Sequence, residues 1–120
     1  MTVWRILESF GIENLRPIDL PEPTAGPGQA VVRVRACSLN YRDLLVAQGG
    51  YGRAVKAPLT PLSDGAGEVV AVGPGVSKWK AGDRVAGSFF KEWRSGTFKT
   101  EYQTFILIVD VKAMTSAVFC

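Results

Sequence analysis

The 120-residue sequence has no histidine, only two cysteines and no long apolar run. Without histidine it lacks the commonest general base, the commonest metal ligand and every Ser-His or Cys-His nucleophile pair. The cysteines, Cys37 and Cys120, lie far apart with no histidine between them. That excludes a zinc finger and a disulfide framework and points to a reducing compartment. Cys37 is expected as a small core residue at a strand end, and Cys120 as an exposed terminal thiol. The longest strongly apolar run, Phe105 to Val109, is five residues, and Arg5 and Glu8 interrupt the N-terminal segment. Neither a transmembrane span nor a secretory signal is expected, and a cytoplasmic location follows. Charge of one sign is also scarce: 14 basic residues are interleaved with 11 acidic ones for a net charge of +3. A nucleic-acid binder needs a clustered basic stripe, so neither nucleic acid nor membrane is an expected partner.

What is present is 47% apolar residues punctuated by 13 glycines and 7 prolines. This length suits one small domain whose core needs no metal or disulfide. Short apolar runs between Gly/Pro breaks predict a mainly β fold with one or two short helices. Val3–Leu7 and Leu15–Leu20 read as a strand pair around the Gly11 turn, with Pro17 confining the second to an edge. Ala30–Ala36 alternates, which predicts Val32, Val34 and Ala36 on a buried face and Arg33 and Arg35 in water. Asn40 to Gln48 reads as a helix. Asn40 is its N-cap, Asp43 lies in the first turn, and Gly49-Gly50 closes it. Strands follow at Gly65–Val72 and Arg84–Ala86, and a last one is predicted at about Thr104–Val111.

Gly65-Ala66-Gly67 and Gly73-Pro74-Gly75 do not meet the dinucleotide fingerprint, which opens a helix after a strand. Gly65 and Gly67 instead open a β-branched strand, and Pro74 removes a donor where phosphate would need one. They read as turn or close-packing glycines. Asp43, Asp64 and Asp83 read as cap or turn residues, as do Ser38 and Asn40. Tyr41 and Tyr51, flanking the helix, are expected half-buried with their hydroxyls in water.

Several runs occur in a recognisable order: Ser38-Leu39-Asn40-Tyr41-Arg42-Asp43-Leu44-Leu45, Gln48-Gly49-Gly50-Tyr51, Pro61-Leu62-Ser63-Asp64-Gly65-Ala66-Gly67-Glu68-Val69, Val72-Gly73-Pro74-Gly75-Val76 and Lys80-Ala81-Gly82-Asp83-Arg84-Val85. Together they resemble the N-terminal, GroES-like catalytic domain of the medium-chain dehydrogenase/reductase superfamily, over about residues 1–95. The resemblance implies a partly open GroES-like β-barrel, with residues 96–120 a divergent tail that adds at most a strand. Zinc-dependent members carry a cysteine where this chain has Asn40 and Gly-His-Glu where it has Leu62-Ser63-Asp64. These replacements cannot hold catalytic zinc on their own, and the four-cysteine structural-zinc lobe is missing. The match is therefore to the zinc-lacking, quinone-oxidoreductase-like branch, and no metal is expected. That branch implies hydride transfer from NADPH to a small carbonyl or quinone. Asn40, Tyr41, Asp43 and Tyr51 then line the nicotinamide and substrate cleft, with Asn40 or Tyr51 orienting the substrate oxygen.

In the family a Rossmann domain follows, after which the chain returns to finish the catalytic fold. Phe89–Gly96 still resembles the family and Thr100-Glu101-Tyr102 is similar to a later strand, but the resemblance stops beyond about Ile106. The expectation is a truncated relative, inactive alone, whose open sheet edge forms a homodimer. The alternative is a stand-alone GroES-like module that binds a protein partner.

Overall fold

Alternation of apolar and polar residues builds the strands, and glycines and prolines end them. The computed structural model describes residues 1–51, 57–88 and 95–99. The predicted strand at 104–111, Cys120 and the Phe89–Arg94 run lie outside the described residues. Strands β1 (Thr2–Ile6) and β2 (Leu15–Asp19) pair antiparallel, with Trp4 opposite Pro17. Gly11, at φ 136°, opens the 3-10 turn Ile12–Asn14 between them. On its other side, β1 exchanges both backbone hydrogen bonds of Ile6 with Leu59, at 2.9 and 3.0 Å. A second sheet has the order β3 (Ala30–Ser38), β4 (Asp64–Val72), β5 (Arg84–Ala86), all antiparallel. The fold is thus mainly β with one α-helix, α1 (Tyr41–Ala47), and among the described residues the sheets do not close into a barrel.

The core falls in two clusters. Ile6, Val46, Ala47 and Leu59 join β1, α1 and the segment before β4, with Phe10, Leu15, Tyr51 and Ala57 packed around them. Ala30, Val69 and Val85 join the three strands of the second sheet, flanked by Val32 and Trp79. Full burial of side chains such as Ile6 and Val69 contributes about 1.5–3 kcal/mol each.

The alternation in β3 does not run as the sequence predicts. Val32 packs against the core, whereas Val34 and Ala36 are exposed. From Arg33 onward β3 is exposed on both faces, beyond the buried cluster, and a break in register between Val34 and Ala36 leaves Arg35 as an extra residue that interrupts the two-residue period. Cys37, expected in the core, is exposed because it lies on the part of β3 beyond the buried cluster.

Gly67 and Gly73 are close-packing glycines. A Cβ on Gly67 would collide with the Arg33 carbonyl on β3, and one on Gly73 with the Gly26 carbonyl. Gly67 thus lets the two strands approach.

Candidate functional site

The β3–β4 register brings polar side chains together at one end of the sheet. Beyond the bulge, Cys37 pairs with Gly65 and Ser38 with Asp64. A ladder continued without the bulge from the Val34–Gly67 pair would instead set Ser38 opposite Ser63. Two residues after Ser38, Asn40 takes the N-cap of α1 in extended conformation and forms a capping box with Asp43. Asp43 Oδ2 accepts the Asn40 backbone N–H at 2.8 Å, satisfying a donor at the helix start. At the other end Gly49, at φ 75°, takes the left-handed cap conformation, and the Gly50 N–H donates to the Leu45 carbonyl at 2.8 Å.

Two hydrogen-bond chains leave this corner. In the first, Asn40 Nδ2 donates to Asp64 Oδ2 at 2.6 Å, and Ser38 Oγ donates to the same oxygen at 3.4 Å. Asp64 and Ser38, expected as cap or turn residues, are instead the first residue of β4 and the last of β3, tied to each other and to the start of α1. The second chain is more deeply buried. Ser63 Oγ donates to Asp43 Oδ1 at 3.2 Å and accepts from Arg42 Nη2 at 3.0 Å. Ser63 and Asp43 are both buried, so the carboxylate is compensated by a hydroxyl, a backbone N–H and a nearby guanidinium. Leu62, at φ 105°, turns the chain between Pro61 and this pair. Such a conformation costs a bulky residue about 1–3 kcal/mol and persists because its neighbours are tied down.

Of the four residues the resemblance implies, Asn40 and Asp43 meet directly. Tyr41 is the first residue of α1 but is 75% exposed, not half-buried, because α1 turns Asp43, Val46 and Ala47 inward, three and four residues apart. Tyr51 is half-buried as expected and packs on the Ile6 cluster, following in sequence the end of α1 away from Asn40, a helix about 10 Å long. Ser63 and Arg42 complete the buried chain, and the residue-type reading missed their pairing. The Leu62-Ser63-Asp64 triplet before a strand was the available signal. Asp83 behaves as a turn residue. Its side chain accepts from Lys80 N and Nζ, each at 2.9 Å, and the Lys80 side-chain bond, then the backbone bond, hold its carboxyl below the usual value.

Cys37 lies beside this corner. Partial burial, and then the negative charge of Asp43, push its thiol up from the ordinary value. Among the described residues no three His, Cys, Asp or Glu side chains gather as a metal site, and no helix is long and apolar enough to cross a membrane.

Comparison with known proteins places this geometry. A family model described as the alcohol dehydrogenase GroES-like domain matches residues 26–113. The rat protein named synaptic vesicle membrane protein VAT-1 homolog is 60% identical over 63 residues, 52% of this chain and 16% of its own. A zinc-type alcohol dehydrogenase-like protein of Schizosaccharomyces pombe is 38% identical over 98 residues, 81% of this chain and 28% of its own. Among solved structures, a mycobacterial protein complexed with NADPH and a mycobacterial quinone oxidoreductase each superpose with a TM-score of 0.61 at 33% identity. Each match covers 72% of this chain and 27% of the other. The chain therefore spans less than a third of the length of these relatives.

Proposed function

The chain belongs to the alcohol dehydrogenase GroES-like domain family, and from that premise we propose that it is the N-terminal catalytic-domain portion of a zinc-independent, NAD(P)H-dependent oxidoreductase. Its substrates are small carbonyls or quinones, and its location is cytoplasmic. The observation that carries the zinc-independent reading is the bonding at the residues that stand where zinc-dependent members hold their metal. Asn40 spends an amide hydrogen on Asp64, and Ser63 Oγ is already used by Asp43 and Arg42. A guanidinium 3.0 Å from Ser63 Oγ also opposes a divalent cation there. The one anionic donor at those positions, the Asp64 carboxylate, already accepts from Asn40 and Ser38. With only a neutral amide and hydroxyl oxygen added, this set does not fit a zinc site of thiolate and imidazole.

NADPH supplies the hydride when bound. This chain's own residues provide the substrate side: Asn40 and Asp43 with Tyr41 and Tyr51 line the nicotinamide and substrate cleft. The exposed Tyr41 presents its ring and hydroxyl to a ligand or an adjoining domain. Gly65 and Gly67 lie within β4, not at a helix start, and so give the cofactor phosphates no cradle. Hydride transfer needs reacting atoms held about 3–3.5 Å apart. These 120 residues alone are accordingly inactive, in keeping with the domain reading of residues 1–95 and a tail at 96–120.

The test is a hybrid in which this chain replaces the matching part of the mycobacterial quinone oxidoreductase. The expected result is NADPH-dependent quinone reduction that a zinc chelator leaves unchanged. A folded hybrid that binds NADPH without turning over, or that stops on chelation, would overturn the reading.

A further inference from the structure

We propose that Asp64 is a positioning residue for Asn40, and that its charge makes this site select neutral carbonyl compounds over anionic ones. The inference rests on the oxidoreductase reading above and deepens it. Asn40 is held twice, through its backbone N–H by Asp43 Oδ2 at 2.8 Å and through its amide by Asp64 Oδ2 at 2.6 Å. Asp64 is itself steadied by Ser38 Oγ on the same oxygen and by the β3–β4 ladder, in which Ser38 and Asp64 are paired. A planar amide nitrogen carries two hydrogens. Once one is committed to a carboxylate, the plane of the group and the direction of the second N–H are set.

That second N–H is the donor Asn40 offers to a substrate carbonyl oxygen. Two acceptors on one planar nitrogen stand about 5 Å apart, so the bound oxygen lies about 5 Å from Asp64 Oδ2. A neutral carbonyl tolerates that distance. A ligand carrying a carboxylate brings a full negative charge toward the Asp64 carboxylate, with a second carboxylate, Asp43, on the Asn40 backbone N–H and the Arg42 cation engaged with Ser63. At partly buried sites such repulsion weakens binding by about tenfold or more.

The test uses the 120-residue chain labelled with nitrogen-15 and follows the side-chain amide of Asn40, assigned with Asn40→Ala. Cyclohexanone and 4-oxocyclohexanecarboxylate are titrated as probes, the same ring without and with a charge. Cyclohexanone is expected to move the Asn40 resonances at a concentration at least tenfold below that of the carboxylate. Asp64→Asn keeps an acceptor for Asn40 but removes the charge. It should tighten the carboxylate about tenfold while changing cyclohexanone by less than about twofold. Asp64→Ala should bring the two Asn40 amide protons toward free-amide shifts and weaken cyclohexanone, which has no charge to be relieved, with a thermal melt confirming that it folds. Asn40 shifts unchanged in Asp64→Ala, equal affinity for both probes, or no response to either would each overturn the proposal. Failure of the oxidoreductase reading would show separately, as a hybrid enzyme without NADPH turnover, and would leave the Asn40 resonances as they are.

Discussion

Asn40 carries two jobs, as the N-cap of α1 and as the amide bonded to Asp64. Replacement by alanine removes both, and an expected loss of about 1 kcal/mol is measurable by urea unfolding. An unchanged midpoint would mean that Asn40 contributes nothing to the cap. Ser63 has more at stake because it is buried between a carboxylate and a guanidinium. Ser63→Ala strips partners from both, and a cost of about 1–3 kcal/mol is expected. Cys37 supplies a pH signature. Its thiol is raised, first by burial and then by Asp43, so the folded state keeps its proton after the unfolded chain has begun to lose it. The stability this contributes is present below the ordinary thiol value of 9.0 and is lost as pH rises through the higher folded value. Iodoacetamide should therefore label the exposed Cys37 more slowly at pH 8 than it labels free cysteine. Equal rates would contradict that environment.

Elements were legible where local chemistry decides them. The helix shows its Asn40 start and Gly49 stop in sequence, and it forms over Tyr41–Ala47, within the predicted span. The strand at Asp64–Val72 begins one residue before the Gly65 expected from its pattern. What residue pattern does not carry is the extra residue at Arg35, because a bulge depends on the partner strand as much as on its own. From that one miss follows the pairing of Ser38 with Asp64, while Val34, Ala36 and Cys37 are exposed because β3 runs beyond the buried cluster from Arg33 onward. The Asn40–Asp43 half of the site could thus be read from spacing, whereas the Asp64 and Ser63 contacts needed tertiary register. The glycines of β4 test this packing. Gly67→Ala forces a Cβ against the Arg33 carbonyl and is expected to cost about 1–3 kcal/mol, whereas Gly65→Ala meets its nearest neighbour at an ordinary 3.7 Å and should be close to neutral. Equal effects would mean that the β3–β4 approach is not close at Gly67.

At the scale of the molecule, the second sheet has the order β3-β4-β5, so among the described residues the outer edges of β3 and β5 have no neighbouring strand. A nine-residue edge such as β3 is a template for pairing. The expected outcome is a homodimer in light scattering, and a strictly monomeric chain would remove that part of the account. The central claim is that these residues supply the substrate side of an oxidoreductase site and leave the cofactor to be held elsewhere. A calorimetric melt of the 120-residue chain with and without millimolar NADPH tests it most directly. A ligand at a hundred times its dissociation constant adds about 2.7 kcal/mol and raises the transition. The account predicts a cooperative transition that NADPH leaves in place; a clear upward shift would contradict it by showing a cofactor site within these residues.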